Sequence, residues 1–284
     1  MVNLIEIYFQ KNTHCIEQKK KIKMFSKRKV KQFFLNSKRR ISLRKEFIAQ
    51  TRLRASYERK LRGQLGIYFK SVFNDFAIEY ENMGITDTAF SRNQGLLFNI
   101  LDKHYRTVIE VFGLRLLKEF RKQEEQFEAI YRDFASQNTG SKIVGIQAVT
   151  RKHIAKIVTI GLTENLGVAQ LANQIRNEGT SRFTKLRSAT IARTETHNAA
   201  SYANQQVAQS MNLPNQRKRW VTTQDDRSRD AHRAMNGKTV NIDEDFIVNG
   251  KPMSYPSDPR GGASNVINCR CVLIYINDQD EIEG

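Results

Sequence analysis

No apolar run in the sequence approaches the ~20 residues that a membrane-spanning helix needs. The first nine residues are a short apolar stretch interrupted by Glu6, with basic residues after it rather than before it, which is wrong for a secretory signal. A cytoplasm, or a particle assembled there, is the expected place of work, with no membrane partner. Cysteine is also scarce. Cys15, Cys269 and Cys271 make an odd count with two thiols one residue apart, which is no disulfide framework and fits a reducing compartment. There is no glycine-rich phosphate loop, no Ser-His-Asp ordering with a nucleophile elbow and no carboxylate cluster suited to two-metal nuclease chemistry.

Acidic residues are missing from one end. Residues 1–70 hold 20 Lys and Arg against Glu6, Glu17, Glu46 and Glu58, a net +16 of the chain's +18. Such a block favours a polyanion, nucleic acid first and an acidic protein surface second. Contact with DNA through residues 11–70 would be non-specific and salt-sensitive, because neutralising phosphates carries no base information. The alternative is a solvated basic tail. Met24 opens a segment that would itself make a sensible start, so translation from Met1 or from Met24 is left open.

Of the 284 residues, 39% are hydrophobic, enough for one large domain or two modest ones. Apolar residues recur at three- and four-residue steps from about Ser42 to Glu81, where Phe47, Leu53, Tyr57, Leu61, Leu65 and Phe69 define a helix. The same spacing predicts a second long helix from Arg92 to Ala135. Two such helices form an antiparallel hairpin or part of a bundle. The polar stretch Ser136-Gln137-Asn138-Thr139-Gly140-Ser141 reads as a domain boundary. Shorter helices follow at about 143–165 and 183–211, the first turning tightly at Asn165-Leu166-Gly167. Beyond Pro214 come short strands and turns, with Asn249-Gly250 as a tight hairpin turn. The expected fold class is α+β: a long-helix N-terminal bundle or hairpin, a helical segment and a small mixed α/β C-terminal domain. The expected units are a basic leader at 1–41 (a candidate for disorder), a long-helix region at 42–140, a compact unit at 141–277 and a frayed acidic tail at 278–284.

Three clusters carry chemistry. In Ile191-Ala192-Arg193-Thr194-Glu195-Thr196-His197, Arg193 and His197 share a helix face while Glu195 lies about 200° from Arg193. These residues are expected to anchor different neighbours rather than form a catalytic cluster. In residues 225–237, Asp225 or Asp226 can cap a short helix that Gly237 closes, with Arg229 and His232 on one face. The third cluster is Asn268-Cys269-Arg270-Cys271, entering the last strand. His232, Cys269 and Cys271 are ligand types that zinc accepts. Cys-x-Cys is not the usual Cys-x2-Cys knuckle, however, and alternate strand residues point to opposite faces unless the chain is bulged. The expectation is no cofactor, with zinc at these three residues as the alternative.

Taken in order, Ala192-Arg193-Thr194-Glu195, Lys218-Arg219-Trp220-Val221-Thr222, Asp226-Arg227-Ser228-Arg229-Asp230-Ala231-His232, Asn236-Gly237, Tyr255-Pro256-Ser257-Asp258-Pro259 and Asn268-Cys269-Arg270-Cys271 resemble the phage Mu F-like head morphogenesis family over about residues 143–276. The motif positions are Arg193, Glu195, Trp220, Asp226, Arg229, His232, Gly237, Cys269, Arg270 and Cys271. The resemblance implies a minor head protein of a tailed phage or prophage. It would act in procapsid assembly in a bacterial cytoplasm, with the portal protein as main partner and major capsid or scaffold proteins and DNA as others. It implies no catalytic residue and no enzyme. Some relatives carry Cys-x2-Cys where this chain has Arg229-Asp230-Ala231-His232, and a His shortly before the final Cys-x-Cys, in an arrangement that looks like a zinc site. Arg229 replaces the first Cys and Val266 or its neighbours replace the His, which suggests that an Arg229 salt bridge substitutes for a metal. Two readings from other classes stand beside this one: a metal-dependent nucleic-acid-processing enzyme using His232 and Glu195, and a non-specific DNA-binding accessory protein.

Overall fold

The computed structural model describes residues 40–84, 87–117, 124–223, 225–278 and 280–283; residues 1–39 of the expected leader lie outside it. The fold is α+β. Strand β1 (Arg40–Ser42) leads into α1 (Leu43–Met83), followed by α2 (Thr88–Leu117), α3 (Glu124–Thr163), α4 (Val168–Glu178) and α5 (Arg182–Met211). The mixed C-terminal part comprises β2 (Arg217–Val221), a single turn α6 (Asp230–Arg233), β3 (Thr239–Asn241), β4 (Phe246–Val248), β5 (Lys251–Met253), a 3-10 turn (Pro259–Gly261), α7 (Ala263–Val266), β6 (Val272–Ile276) and β7 (Glu281–Glu283).

Helix α1 begins where the Ser42 hydroxyl accepts from the Lys45 amide, and it ends at Gly84, whose φ of 80° an L side chain rarely adopts. Its inward stripe, with Leu61, Leu65, Phe69, Val72 and Phe76, is buried against the stripe Leu97, Leu101, Tyr105, Val108 and Phe112 of α2. Helix α5 packs against both. From Thr194 to Ala200 every one of its residues is buried. Several of its polar side chains find partners within the fold, as the hydrogen bond of 2.9 Å between His104 Nε2 on α2 and Thr196 Oγ1 illustrates, while Asn198 Oδ1 is buried without one.

The single helix expected from Arg92 to Ala135 is two helices. The aromatic rhythm continues across residues 118–123, and no Gly or Pro stands there to announce the break. Yet α2 and α3 lie antiparallel, with Gly113 giving way to the Phe127 ring and Arg106 salt-bridged to Glu128. The expected boundary at 136–141 is likewise corrected, since it lies inside the unbroken α3. Asn138 and Thr139 are buried there, and the Asn138 side-chain amide returns to the Phe134 carbonyl (2.9 Å). Packing overrode a composition that reads as a linker.

The central sheet has the order β3-β2-β6 and is antiparallel, with Trp220 opposite Leu273. Strands β4 and β5 form the hairpin expected at Asn249-Gly250, both residues having positive φ (49° and 71°). The tail expected to fray is instead paired in part: β7 runs parallel to β1, Ile282 opposite Ile41, and ties the two ends of the described chain together.

Candidate metal centre

The free edge of β6 faces α1, and two side chains one helical turn apart brace it and the chain entering it. Gln50 donates to the Leu273 carbonyl (3.1 Å), and Arg54 donates to the carbonyls of Cys271 (3.2 Å) and Arg270 (3.3 Å). Arg54 is buried, and desolvation pulls its pKa below the usual arginine value. Helix α5 adds a second donor to the same segment. His197 Nε2 lies 2.8 Å from the Cys271 carbonyl, which can only accept, so Nε2 carries the proton and Nδ1 accepts from Ser257 Oγ at 2.6 Å. Burial first, and the nearby Arg54 charge second, hold the His197 pKa below its ordinary value, in keeping with this neutral tautomer.

Both ring nitrogens of His197 are thus in use, whereas His232 uses only Nδ1. His232 sits in the α6 turn, 2% exposed, with its ring edge-on to Trp220. Its Nδ1 lies 3.7 Å from Cys269 Sγ and 3.4 Å from Cys271 Sγ, and its buried Nε2 has no partner. The two thiols were expected on opposite faces. They converge because Cys269 and Cys271 precede the strand, in irregular chain that follows Asn268 in a left-handed conformation (φ 58°). Burial alone would raise the Cys269 pKa. The Cys271 hydrogen bond is the largest opposing effect, and the net result holds Cys269 well below the usual thiol value. That same hydrogen bond and burial push Cys271 well above it.

The three ligand atoms lie within 4.8 Å of one another. Tetrahedral zinc with bonds of about 2.3 Å to sulfur and about 2.05 Å to nitrogen would place N and S roughly 3.5 Å apart. The two N–S distances bracket that value, so the residues present fit a zinc ion. Among the described residues no further Cys, His, Asp or Glu joins the group.

The other motif positions hold the frame. Arg193 donates to Asn268 Oδ1 (3.1 Å) and approaches Glu58 (3.7 Å), while Glu195 points away to Tyr105 (2.9 Å) and Lys142 (3.2 Å), as the helix angle required. Trp220 is fully buried against Phe246, and Gly237, with φ of 80°, donates to its carbonyl. Arg270 forms a two-pronged ion pair with Asp225, both contacts 2.6 Å. Three expectations are corrected. The N-cap of α6 is Arg229, with no side-chain cap, rather than Asp225 or Asp226. Asp226 is exposed, and the acidic role falls to its neighbour Asp225. Arg229 donates to the Ile267 carbonyl (2.6 Å) and forms no ion pair among the described residues, so no salt bridge stands in for a metal. Gln50, Arg54 and Ser257 were not legible as site residues. The first two lie more than 200 positions from their partners, and nothing local marks them.

The motif thus builds a buried junction between helices and sheet. Residues 152–274 match the family described as Phage Mu protein F like protein. The chain is 22% identical over 249 residues to the minor head protein GP7 of Bacillus phage SPP1, covering 79% of this chain and 80% of that one. It is 30% identical over 171 residues to the NAD(+)–arginine ADP-ribosyltransferase EFV of Enterococcus faecalis (strain ATCC 700802 / V583). That match covers 59% of this chain and only 30% of the transferase. No solved structure gives a significant match.

Proposed function

We propose that this protein is a minor head protein that takes part in assembling a phage procapsid at the portal. The carrying observation is the likeness to the SPP1 minor head protein along most of both chains. The geometry supports a structural role. Glu195 and His232, the pair needed by a nuclease reading, are engaged with different neighbours, Tyr105 and Lys142 for one and the two thiols for the other. The likeness to the transferase covers too small a share of that enzyme to bring its activity with it. No helix among the described residues is long and apolar enough to cross a membrane. Major capsid or scaffold proteins are further partners in this reading. DNA contact falls to residues 11–39 and the exposed cations of α1, since the apolar face of residues 43–70 is built into the core. The experiment is co-assembly: the chain, co-expressed with its cognate portal and major capsid proteins, is expected to sediment with the procapsids.

The same reading gives the centre a zinc ion held by His232, Cys269 and Cys271. The metal would act structurally, pinning the α6 turn to the chain that enters β6, with His232 bound through Nδ1. Elemental analysis of the full-length protein should find about one zinc per chain, and Cys269→Ser should lose it with a fall in melting temperature. Metal-free wild-type protein, purified without chelator, would remove zinc from the account.

A further inference from the structure

Helix α3 turns one face inward, where Ile143, Ile146, Thr150, Ile154 and Val158 are buried. Beside this face, Val144, Ala148, Arg151, Ala155, Thr159 and Leu162 follow at steps of four and three and are all exposed. This is the spacing of a seam that receives another helix. Val144 is 67% exposed and Leu162 58%. Ala148 and Ala155 leave room for a close approach. Arg151, the one charge in the seam, is drawn aside by its ion pair with Asp87 (3.0 Å) and lies over the Phe90 ring.

The charge around the seam selects the occupant. Residues 134–163 contain no Asp or Glu, although the whole chain has 29. Lys152 and Lys156 flank the seam, exposed, and form no ion pair among the described residues. The chain's own leader would be repelled, since residues 1–39 carry eleven Lys and Arg against Glu6 and Glu17. A second copy would set the same lysines against each other. An exposed row of apolar and small side chains bordered by uncompensated cations fits the apolar face of a helix with carboxylates along its border. We propose that this face of α3 docks an acidic amphipathic helix of another protein. The partner's apolar stripe would lie against Val144, Ala148, Ala155 and Leu162, and its carboxylates would meet Lys152 and Lys156. The inference does not depend on the head-assembly reading and can fail without it.

The test uses the full-length protein and two fluorescein-labelled synthetic helices with the same leucine heptad seam, one flanked by Glu and the other by Lys. Fluorescence anisotropy should show the Glu helix bound at least tenfold more tightly than the Lys helix. Lys152→Glu with Lys156→Glu should weaken that binding tenfold or more, and Ala155→Glu should abolish it. The substituted positions are exposed, so circular dichroism and melting temperature should stay at wild-type values. Absence of binding to the wild type, equal binding of the two helices, or unchanged affinity in either variant overturns the proposal. So does a duplex DNA probe that binds in preference to the Glu helix and is lost in the double lysine variant, which would assign the face to nucleic acid.

Discussion

Replacing Arg54 with alanine is expected to destabilise the protein by about 2–5 kcal/mol, from two buried carbonyls losing a charged donor and from the void left by a long buried side chain. The guanidinium braces the chain entering β6 by donating to the Arg270 and Cys271 carbonyls, and its positive charge lies near Cys269. Its loss strips a donor from two carbonyls 216 and 217 positions away in sequence and leaves a void beside α1. His197 still donates to the Cys271 carbonyl, so the segment is loosened rather than freed. Arg54→Met keeps most of the stem and loses only the donors, and should cost less than alanine. Arg54→Lys keeps the charge but cannot reach both carbonyls with one rigid fork. Urea unfolding of the three variants checks the order. A cost below about 1 kcal/mol for alanine would mean that α1 does not hold the chain entering β6.

Acid should unfold the protein with a slope that His104 sets in large part. Burial pushes this imidazole down to about 3, and its Nε2 is spent on Thr196. In the unfolded chain a histidine takes up its proton near pH 6.5, whereas the native side chain stays neutral until about pH 3. Between those values the unfolded state binds more protons, so stability falls as pH falls. The contribution is complete above about pH 6.5 and is lost progressively down to about pH 3, at no more than about 1.4 kcal/mol per pH unit and roughly 5 kcal/mol in total. Urea midpoints at pH 7, 5.5 and 4 measure it. His104→Gln should start from lower stability at pH 7 yet lose less on acidification. An identical slope in wild type and variant would show that His104 is not buried neutral.

These outcomes hinge on contacts between residues far apart in sequence, and that is where reading the sequence stopped. Periodicity located α1 because its apolar stripe is a local property of the chain. It merged α2 with part of α3 because the aromatic spacing runs on through residues 118–123 without a breaker, and it divided α3 at 136–141 because Asn, Thr, Gly and Ser look like a linker in any context. Angular arithmetic on one helix correctly sent Arg193 and Glu195 to different neighbours. The same arithmetic, applied as strand alternation to Cys269 and Cys271, failed because those residues precede β6. Motif order led to the family, which the match at residues 152–274 supports. It could not reveal that Arg54 and Gln50 on α1 brace β6 and the chain entering it, from which the centre is built.

The centre itself shows why a motif can be read without being an active site. Its side chains turn inward, toward carbonyls, a buried ring and each other, and what they hold together is the junction of helices and sheet. On this account the protein's work lies on its outer faces, in contact with other components of a head.

The measurement that bears on this most directly is co-sedimentation with cognate procapsids assembled in the presence and absence of portal protein. The account predicts that the full-length chain travels with portal-containing particles and largely stays behind when the portal is omitted. A chain left at the top of the gradient in both cases, with soluble portal and capsid proteins folded and assembled, would contradict it.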